Sequence, residues 1–558
     1  MKKILLGNEA IVKGALVSGV SFVSGYPGCP SAEIGDEFGR IAKQYGIYAE
    51  WSSNEKVALE AAIGASFSGL KSLVNMKSFG INVCSDSLFP LAYTGIKAPM
   101  VIFVGDDPNC HSSAQSEQDS RGYAYLAKIP VLDPSSPQEC YDFTKLGFEI
   151  SEKFNLPVIL RSTTRVAHQR AIVDIEDISI KNAKAEFVKN PYQFTTMAPR
   201  VLEMKKELLV KLEKLRTYVE KSKTNKITGN KKAKIGIIAS GVSYLYALEA
   251  LGDLKLDLPV LKLGFFYPLP EKMISNFLKR KKTVLVLEEM DPYLEKEVIR
   301  IAKEANLKLK IFGKSVLPQT GELNTEKIIL ALSKITGKKY KKNKSLNLKV
   351  KIPRRTAKLC EGCPYWNILP IVKRLAPEGT IFGGDIGCNM IAGLPPHNMQ
   401  DYLFSMGASM GISHGVSKAL GKNAEQKIIS LIGDGTFFHS GVLGLINAVY
   451  NKSNFLIIVL DNRITAMTGH QQNPGMGKTV MGDNTIDIKI EDVAKACGVK
   501  YIKTVNPKNI QEMEETIKDY MQKNEVAIIV CKQMCALLEK RLNQNDELKK
   551  FYLNPETN

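Results

Sequence analysis

The chain has 558 residues, of which 44% are hydrophobic, and a formal charge of +19. At ~100–200 residues per domain this predicts roughly three to five domains with sizeable cores. The longest apolar runs, residues 455–460 (FLIIVL) and 526–531 (VAIIVC), are far short of the ~20 residues that cross a bilayer and read as buried strands. The lysines are spread through helices and loops with one dense patch at 205–234, and no nucleic-acid motif accompanies them. That excludes nucleic acid and leaves a solvated basic surface suited to an acidic partner.

From the start, MKKILLGNEAIVKG is interrupted by Glu9 before a signal-peptide core can form. It predicts a first strand running into a helix, and with it a cytoplasmic chain. Residues 20–26 (VSFVSGY) and 100–105 (MVIFVG) read as strands. Residues 54–69 carry apolar residues at helical spacing with small residues for close packing. Proline and glycine punctuate the joins, as at 26–30 (YPGCP), and the alternation predicts a parallel βαβ domain over 1–199. A charged helix and linker follow at 200–233, then a second α/β unit at 234–337, a lysine-rich linker at 338–351 and a third α/β domain at 352–540. Residues 541–558 read as a polar, fraying tail.

The most informative stretch is 432–471. A strand ends at Gly433-Asp434-Gly435, a helix follows, and a second strand ends at Asp461-Asn462, 28 residues after Asp434. This puts a carboxylate and an amide at the carboxyl ends of two strands, where open α/β sheets bind ligands. Mg²⁺ takes octahedral oxygen coordination and binds diphosphates readily. Asp434, the Asn462 side-chain oxygen and the Ile464 carbonyl are its candidate protein ligands, with glycines at 433 and 435 admitting phosphates close to the backbone. The pattern resembles the diphosphate motif of thiamine-dependent enzymes. Such enzymes also need a carboxylate that shares a proton with the aminopyrimidine. Glu55 is the candidate, and Glu60, one helical turn on, is its competitor.

The chain has ten cysteines. Cys360 and Cys363 form a CxxC that suits metal or redox chemistry, whether a cluster, zinc or a reducible dithiol.

Further strings extend the resemblance. Residues 24–34 (SGYPGCPSAEI), 54–56 (NEK), 76–77 (MK), 105–124 (GDDPNCHSSAQSEQDSRGYA) and 161–169 (RSTTRVAHQ) resemble the pyrimidine domain of indolepyruvate:ferredoxin oxidoreductase large subunits. Residues 359–366 (LCEGCPYW), 384–390 (GDIGCNM), 436–441 (TFFHSG) and 465–475 (TAMTGHQQNPG) resemble that family's diphosphate domain, and the likeness runs to about 540. It implies an α/β chain of three domains. Two are of thiamine-diphosphate-binding type, with parallel sheets flanked by helices, and a transketolase C-terminal-like α/β domain lies between them.

The implied activity is oxidative decarboxylation of a 2-oxoacid, an aryl pyruvate such as indolepyruvate, to an acyl-CoA. The implied cofactors are thiamine diphosphate, Mg²⁺ and one 4Fe–4S cluster on Cys360, Cys363, Cys388 and Cys535. The implied partners are a small (beta) subunit that handles coenzyme A, and ferredoxin or a ferredoxin-like subunit, in a hetero-oligomer with no membrane or nucleic-acid role. The resemblance favours Glu55 over Glu60, and it points to Cys29, Arg121 and Met467 for substrate. Met467 stands where pyruvate-specific relatives are polar, and Arg121 is expected to pair with the substrate carboxylate. Two alternatives stay open: a non-oxidative thiamine-dependent decarboxylase, and a non-catalytic scaffold paralogue.

Three departures stand out. The family's threonine is Cys29 here, a histidine that commonly follows CxxCP is Tyr365, and the usual C-terminal ferredoxin-like domain with two CxxCxxCxxxCP runs is missing from the sequence. The last bears on electron exit, not on the carbon chemistry.

Overall fold

The computed structural model describes residues 1–178, 184–340, 356–421 and 424–553. The expected linker from 341 to 351, the first residues of the expected third domain and residues 554–558 of the expected tail lie outside the described residues. The chain divides into two compact units, Met1–Asn347 and Leu348–Asn558.

The first unit contains strands β1 (Lys2–Leu6), β2 (Phe22–Gly25), β3 (Tyr48–Trp51), β4 (Ser72–Lys77), β5 (Met100–Asp106), β6 (Val131–Leu132), β7 (Val158–Thr163) and β8 (Arg170–Asp174). These are followed by β9 (Lys226–Thr228), β10 (Ile235–Ser240), β11 (Val260–Leu263), β12 (Phe265–Tyr267), β13 (Thr283–Leu287) and β14 (Lys310–Phe312). A seven-stranded sheet has the order β12-β6-β7-β5-β4-β2-β3, parallel except where β12 joins β6 antiparallel. Every residue of β5 is buried. A central strand covered on both faces reads as a continuous apolar run, which is why the sequence signal there is strong. A five-stranded sheet, β14-β13-β10-β11-β9, forms the second layer system, and β1 pairs β8 antiparallel.

β12 lies between two strands of the second sheet's stretch of chain yet completes the first sheet, so the expected first and second domains share one compact unit. The expected charged helix and linker at 200–233 also resolves further. Its helix, Arg200–Val219, buries Met204, Leu208, Leu212, Leu215 and Val219 along one face. The linker carries β9, a three-residue polar edge strand antiparallel to β11.

The second unit contains β15 (Ile381–Gly383), β16 (Ile428–Gly433), β17 (Leu456–Asp461), β18 (Tyr501–Val505) and β19 (Ala527–Lys532), in the all-parallel order β15-β16-β17-β19-β18. Helix Ala536–Gln544 and helix Asp546–Tyr552 occupy the region expected to fray. Leu538 and Leu542 bury against Ile464 and Met476, with Leu548 and Tyr552 packed on them, and this apolar contact orders an otherwise polar segment. Among the described residues no helix is long and apolar enough to cross a membrane.

Candidate active site

β16 and β17 are neighbours in register, with Gly433 opposite Leu460. Their ends therefore bring Asp434 and the Asp461-Asn462 pair to the same edge of the sheet. Asp434 is buried, and one oxygen accepts the Asn473 side-chain amide at 2.9 Å. Burial, and next the Asp461 carboxylate, raise its pKa above the ordinary range. Asp461 is raised by burial as well, and its Oδ1 accepts the Arg463 backbone N–H at 3.0 Å. Two buried carboxylates in electrostatic reach of each other favour a nearby cation, and Arg463 and Lys532 already lower Asp461.

Asn462 is held on three sides. Its Oδ1 accepts Ile464 N–H at 3.2 Å, its Nδ2 donates to the Tyr365 hydroxyl at 3.1 Å, and its carbonyl accepts Cys535 N–H at 3.0 Å. The Tyr365 hydroxyl itself donates to the Leu460 carbonyl at 3.1 Å. The amide oxygen is thereby turned away from Tyr365 and onto the Ile464 N–H. Ile464, the third expected ligand, is buried on the same loop. A Cβ added at Gly433 would meet nothing within 4 Å, so the backbone there borders open space. At Gly435 a Cβ would stand 2.8 Å from Thr465 Oγ1, so that glycine is required by the facing loop. Open backbone, an oriented amide and paired carboxylates fit a diphosphate with its cation. The helical segment after Gly433 widens to a π-turn over Phe437–Gly441, a distortion frequent at functional sites.

The cysteine segments adjoin this edge. In the CxxC turn Cys363 N–H donates to the Cys360 carbonyl at 3.2 Å, and Gly362 adopts a left-handed φ of 74°. A Cβ on Gly362 would be 3.5 Å from that of Ala536, the residue after Cys535. Burial first, and then Cys363, Cys535, Cys360 and Asp434, push the Cys388 thiol up to about 12. Cys363 rises to about 11, by burial and then by Cys535 and Cys360. Among the described residues no three His, Cys, Asp or Glu side chains are arranged to hold a metal ion. A single ion requires ligands converging within ~2.3 Å of one point, whereas a four-iron cluster takes one thiolate per iron and keeps its cysteines apart. The donor set, four thiols of which Cys388 is in electrostatic reach of the other three, fits the second case.

In the first unit, Glu55 is the buried first residue of helix Glu55–Phe67, whose N-cap Asn54 accepts Val57 N–H at 3.0 Å. A Cβ at Gly80 would lie 2.6 Å from Glu55 Cγ, so glycine there makes room for this side chain. Glu60 is instead exposed and tied to Lys56 and, at 2.6 Å, to the Ser87 hydroxyl. Cys29 is half-buried, its thiol raised by burial and Glu33 against the lowering effect of Lys77. Lys77 donates to the Ser112 carbonyl at 2.9 Å, and Asp107 accepts from Ser112, Ser113 and Thr164. These residues gather at the carboxyl ends of β4, β5 and β7.

Arg121 has a different set of partners from the expected substrate carboxylate. It is buried, pairs with Asp119 at 2.6 Å and Glu288 at 3.3 Å, donates to the Glu289 carbonyl at 2.8 Å and lies 4.6 Å over the Phe266 ring. With its donors so engaged it is part of the packing between the two sheets of the first unit. Met467 is 46% exposed on the 465–471 loop. Sequence reasoning passed over Asn473, Asp461, the hydroxyl of Tyr365, and His470. Asn473 and His470 stood in a quoted string, and Asp461 adjoined a named ligand, but no spacing rule marks any of them.

Three family descriptions match: "Pyruvate flavodoxin/ferredoxin oxidoreductase, thiamine diP-bdg" over residues 13–233, "Indolepyruvate oxidoreductase domain" over 225–355, and "Thiamine pyrophosphate enzyme, C-terminal TPP binding domain" over 385–531. The chain is 44% identical over 545 residues to "Indolepyruvate oxidoreductase subunit IorA" of Methanothermobacter marburgensis, covering 96% of this chain and 87% of that one. It is 40% identical to the protein of that name from Pyrococcus horikoshii, covering 96% and 86%. The chain belongs to the indolepyruvate oxidoreductase IorA family. As an IorA-family member it is an enzyme, a thiamine-diphosphate-dependent 2-oxoacid:ferredoxin oxidoreductase. Its α/β architecture carries thiamine-binding domains, matched within 13–233 and 385–531 on either side of the IorA-specific segment. Among solved structures, a 2-oxoglutarate:ferredoxin oxidoreductase from Magnetococcus marinus is 17% identical with a TM-score of 0.48, covering 60% of this chain and 65% of that one.

Proposed function

We propose that this chain oxidatively decarboxylates an aryl pyruvate such as indolepyruvate to the corresponding acyl-CoA. In this reading Mg²⁺ accompanies thiamine diphosphate and electrons leave through one 4Fe–4S cluster to ferredoxin or a ferredoxin-like subunit. The bond between C1 and C2 of the 2-oxoacid breaks and carbon dioxide departs. Coenzyme A, presented by a separate small subunit, gives up its thiol proton and forms the thioester. Two electrons pass singly to two one-electron acceptors.

The observation that carries the reading is the contiguity of Asp434, Asn462, Tyr365 and the cysteine segments on one sheet edge. Asp434, Asn462 and the Ile464 carbonyl would hold the cation, and Gly433 and Gly435 the diphosphate. When bound, thiamine diphosphate supplies the electron sink that decarboxylation requires. Glu55 would hold the proton shared with the aminopyrimidine. Cys360, Cys363, Cys388 and Cys535 would hold the cluster. Cys29 in the first unit and Met467 in the second are each proposed for substrate, and the long apolar side chain of Met467 suits an aryl group.

The test is anaerobic purification with the small subunit, metal and thiamine analysis, and steady-state kinetics with coenzyme A and ferredoxin. About four irons per chain and preference for aryl pyruvates are expected. Stoichiometric zinc, or no metal, would favour the non-oxidative decarboxylase. Preference for pyruvate or 2-oxoglutarate would reject the aryl substrate, and full coenzyme A-dependent turnover by this chain alone would reject the partner.

A further inference from the structure

His470 is 94% buried, stands on the loop between β17 and helix Ile490–Ala496, and belongs to no role assigned above. Its backbone φ is 71°, left-handed for a residue that is not glycine, and Gly469 before it is at 129°. Such a conformation costs roughly 1–3 kcal/mol and persists where its surroundings over-determine it. The surroundings here are specific. Thr465 and Gln471 exchange backbone hydrogen bonds at 3.0 and 3.1 Å, and the Thr468 hydroxyl binds the Gln471 amide oxygen at 2.6 Å. The loop is thus pinned around an imidazole whose two nitrogens both have partners: Nδ1 lies 3.0 Å from Arg541 Nη1, and Nε2 lies 3.5 Å from Cys535 Sγ.

The two contacts fix the tautomer. A guanidinium only donates, so Nδ1 must accept from Arg541 and carry no proton. In the neutral ring the proton then sits on Nε2, which points at the Cys535 sulfur. Arg541 lies on helix Ala536–Gln544, whose N-cap is Cys535 itself, so thiol, imidazole and guanidinium form one local assembly.

We infer that His470 is a positioning residue that donates its Nε2–H to Cys535 Sγ and thereby raises the reduction potential of the cluster bound there. The inference rests on the cluster reading above. On reduction the cluster takes up one electron and no proton, the added negative charge spreads onto the sulfurs, and a sulfur that accepts an N–H gains more from it in the reduced state. Hydrogen bonds to cluster sulfurs are a recognised means of setting potential.

The test compares the anaerobically purified full chain with His470→Phe, which keeps a ring and loses the donor, and His470→Gln, whose amide can donate. Iron and sulfide per chain are measured first, then the potential by dithionite titration followed by EPR. His470→Phe should make reduction about tenfold less favourable, which for one electron is ~59 mV more negative, and His470→Gln should recover part of the shift. The reduced wild-type cluster should also show an exchangeable-proton coupling that disappears in deuterium oxide and in His470→Phe. A wild-type chain without iron overturns the cluster reading and this inference together. Loaded His470→Phe with the wild-type potential overturns this inference alone. If His470→Phe holds no iron, the wild-type coupling decides, and its absence overturns the inference.

Discussion

Two buried polar clusters in this chain look alike in composition and differ in what they lack. In the first unit, Asp106, Asp119, Asp133 and Glu288 each meet a guanidinium of Arg121 or Arg161, at 2.6–3.3 Å. Glu288 also accepts two backbone N–H groups at 2.8 Å. In the second unit, Asp434 and Asp461 meet one amide and backbone N–H groups, while Arg463 spends its guanidinium on Asp487 at 2.8 Å. The first cluster sets two guanidinium groups directly on its carboxylates. In the second, burial holds the Asp461 carboxyl above the ordinary range although Arg463 and Lys532 lower it through space. Buried charge alone marks neither function nor structure; the two clusters differ in how closely the counter-charge is bound.

The sharpest way to break this comparison is Asp434→Ala. It should weaken Mg²⁺-dependent thiamine diphosphate binding by more than ~100-fold, since even outer partners of metal ligands cost 10–100-fold; calorimetric titration showing wild-type affinity would reject the site. Glu55→Gln should leave cofactor affinity in place and lower turnover by ~10²–10⁴-fold, the usual worth of a proton-transfer group. Hydrogen–deuterium exchange at the thiazolium C2 should slow in step, and an unchanged exchange rate would assign the proton to another residue. Arg121→Ala should behave in the opposite way. Leaving Asp119 buried and unpaired costs about 3–5 kcal/mol of stability, read by chemical denaturation, while KM for the 2-oxoacid in the folded fraction stays put. A KM raised tenfold with stability unchanged would restore Arg121 to the substrate. The smallest effect is expected from Tyr365→Phe, which frees the Asn462 amide to rotate. Loss of the hydrogen bond to Asn462, about 1 kcal/mol, corresponds to roughly fivefold weaker Mg²⁺ binding, seen in the Mg²⁺ dependence of cofactor quenching, while loss of the second bond, to the Leu460 carbonyl, lowers the melting temperature modestly.

Much of the diphosphate edge was legible because it is local. The strands β16, β17 and β19 are apolar runs, and the separation of Asp434 from Asn462 is that of one strand–helix–strand passage. Glu55 was less so: the local pattern left Glu60 open, and it is burial in the fold that separates Glu55, just inside a capped helix, from the exposed Glu60. The partners of Arg121 were not legible because they are not local. Glu288 and the Glu289 carbonyl lie over 160 residues away, brought in by the strand pairing of the second sheet. Tyr365 looked like a departure from a familiar string, and its bond to Asn462 across 97 residues could not be inferred from composition. The helix Asp546–Tyr552 escaped notice because its polar sequence is ordered by a few apolar contacts, not by a periodic face.

β12 has a consequence for how the gene can be divided. Phe265 and Tyr267 pair with Leu132 and Val131, closing the edge of a sheet whose other strands all precede residue 164. A fragment ending near residue 233 would therefore expose β6 as a raw border with unpaired amides and carbonyls, an invitation to intermolecular strand addition. It would also strip Phe266 from beneath the Arg121 guanidinium. Fission or recombination at that apparently natural seam should yield aggregating halves, whereas a break that keeps β12 with β6 should leave the first sheet sealed.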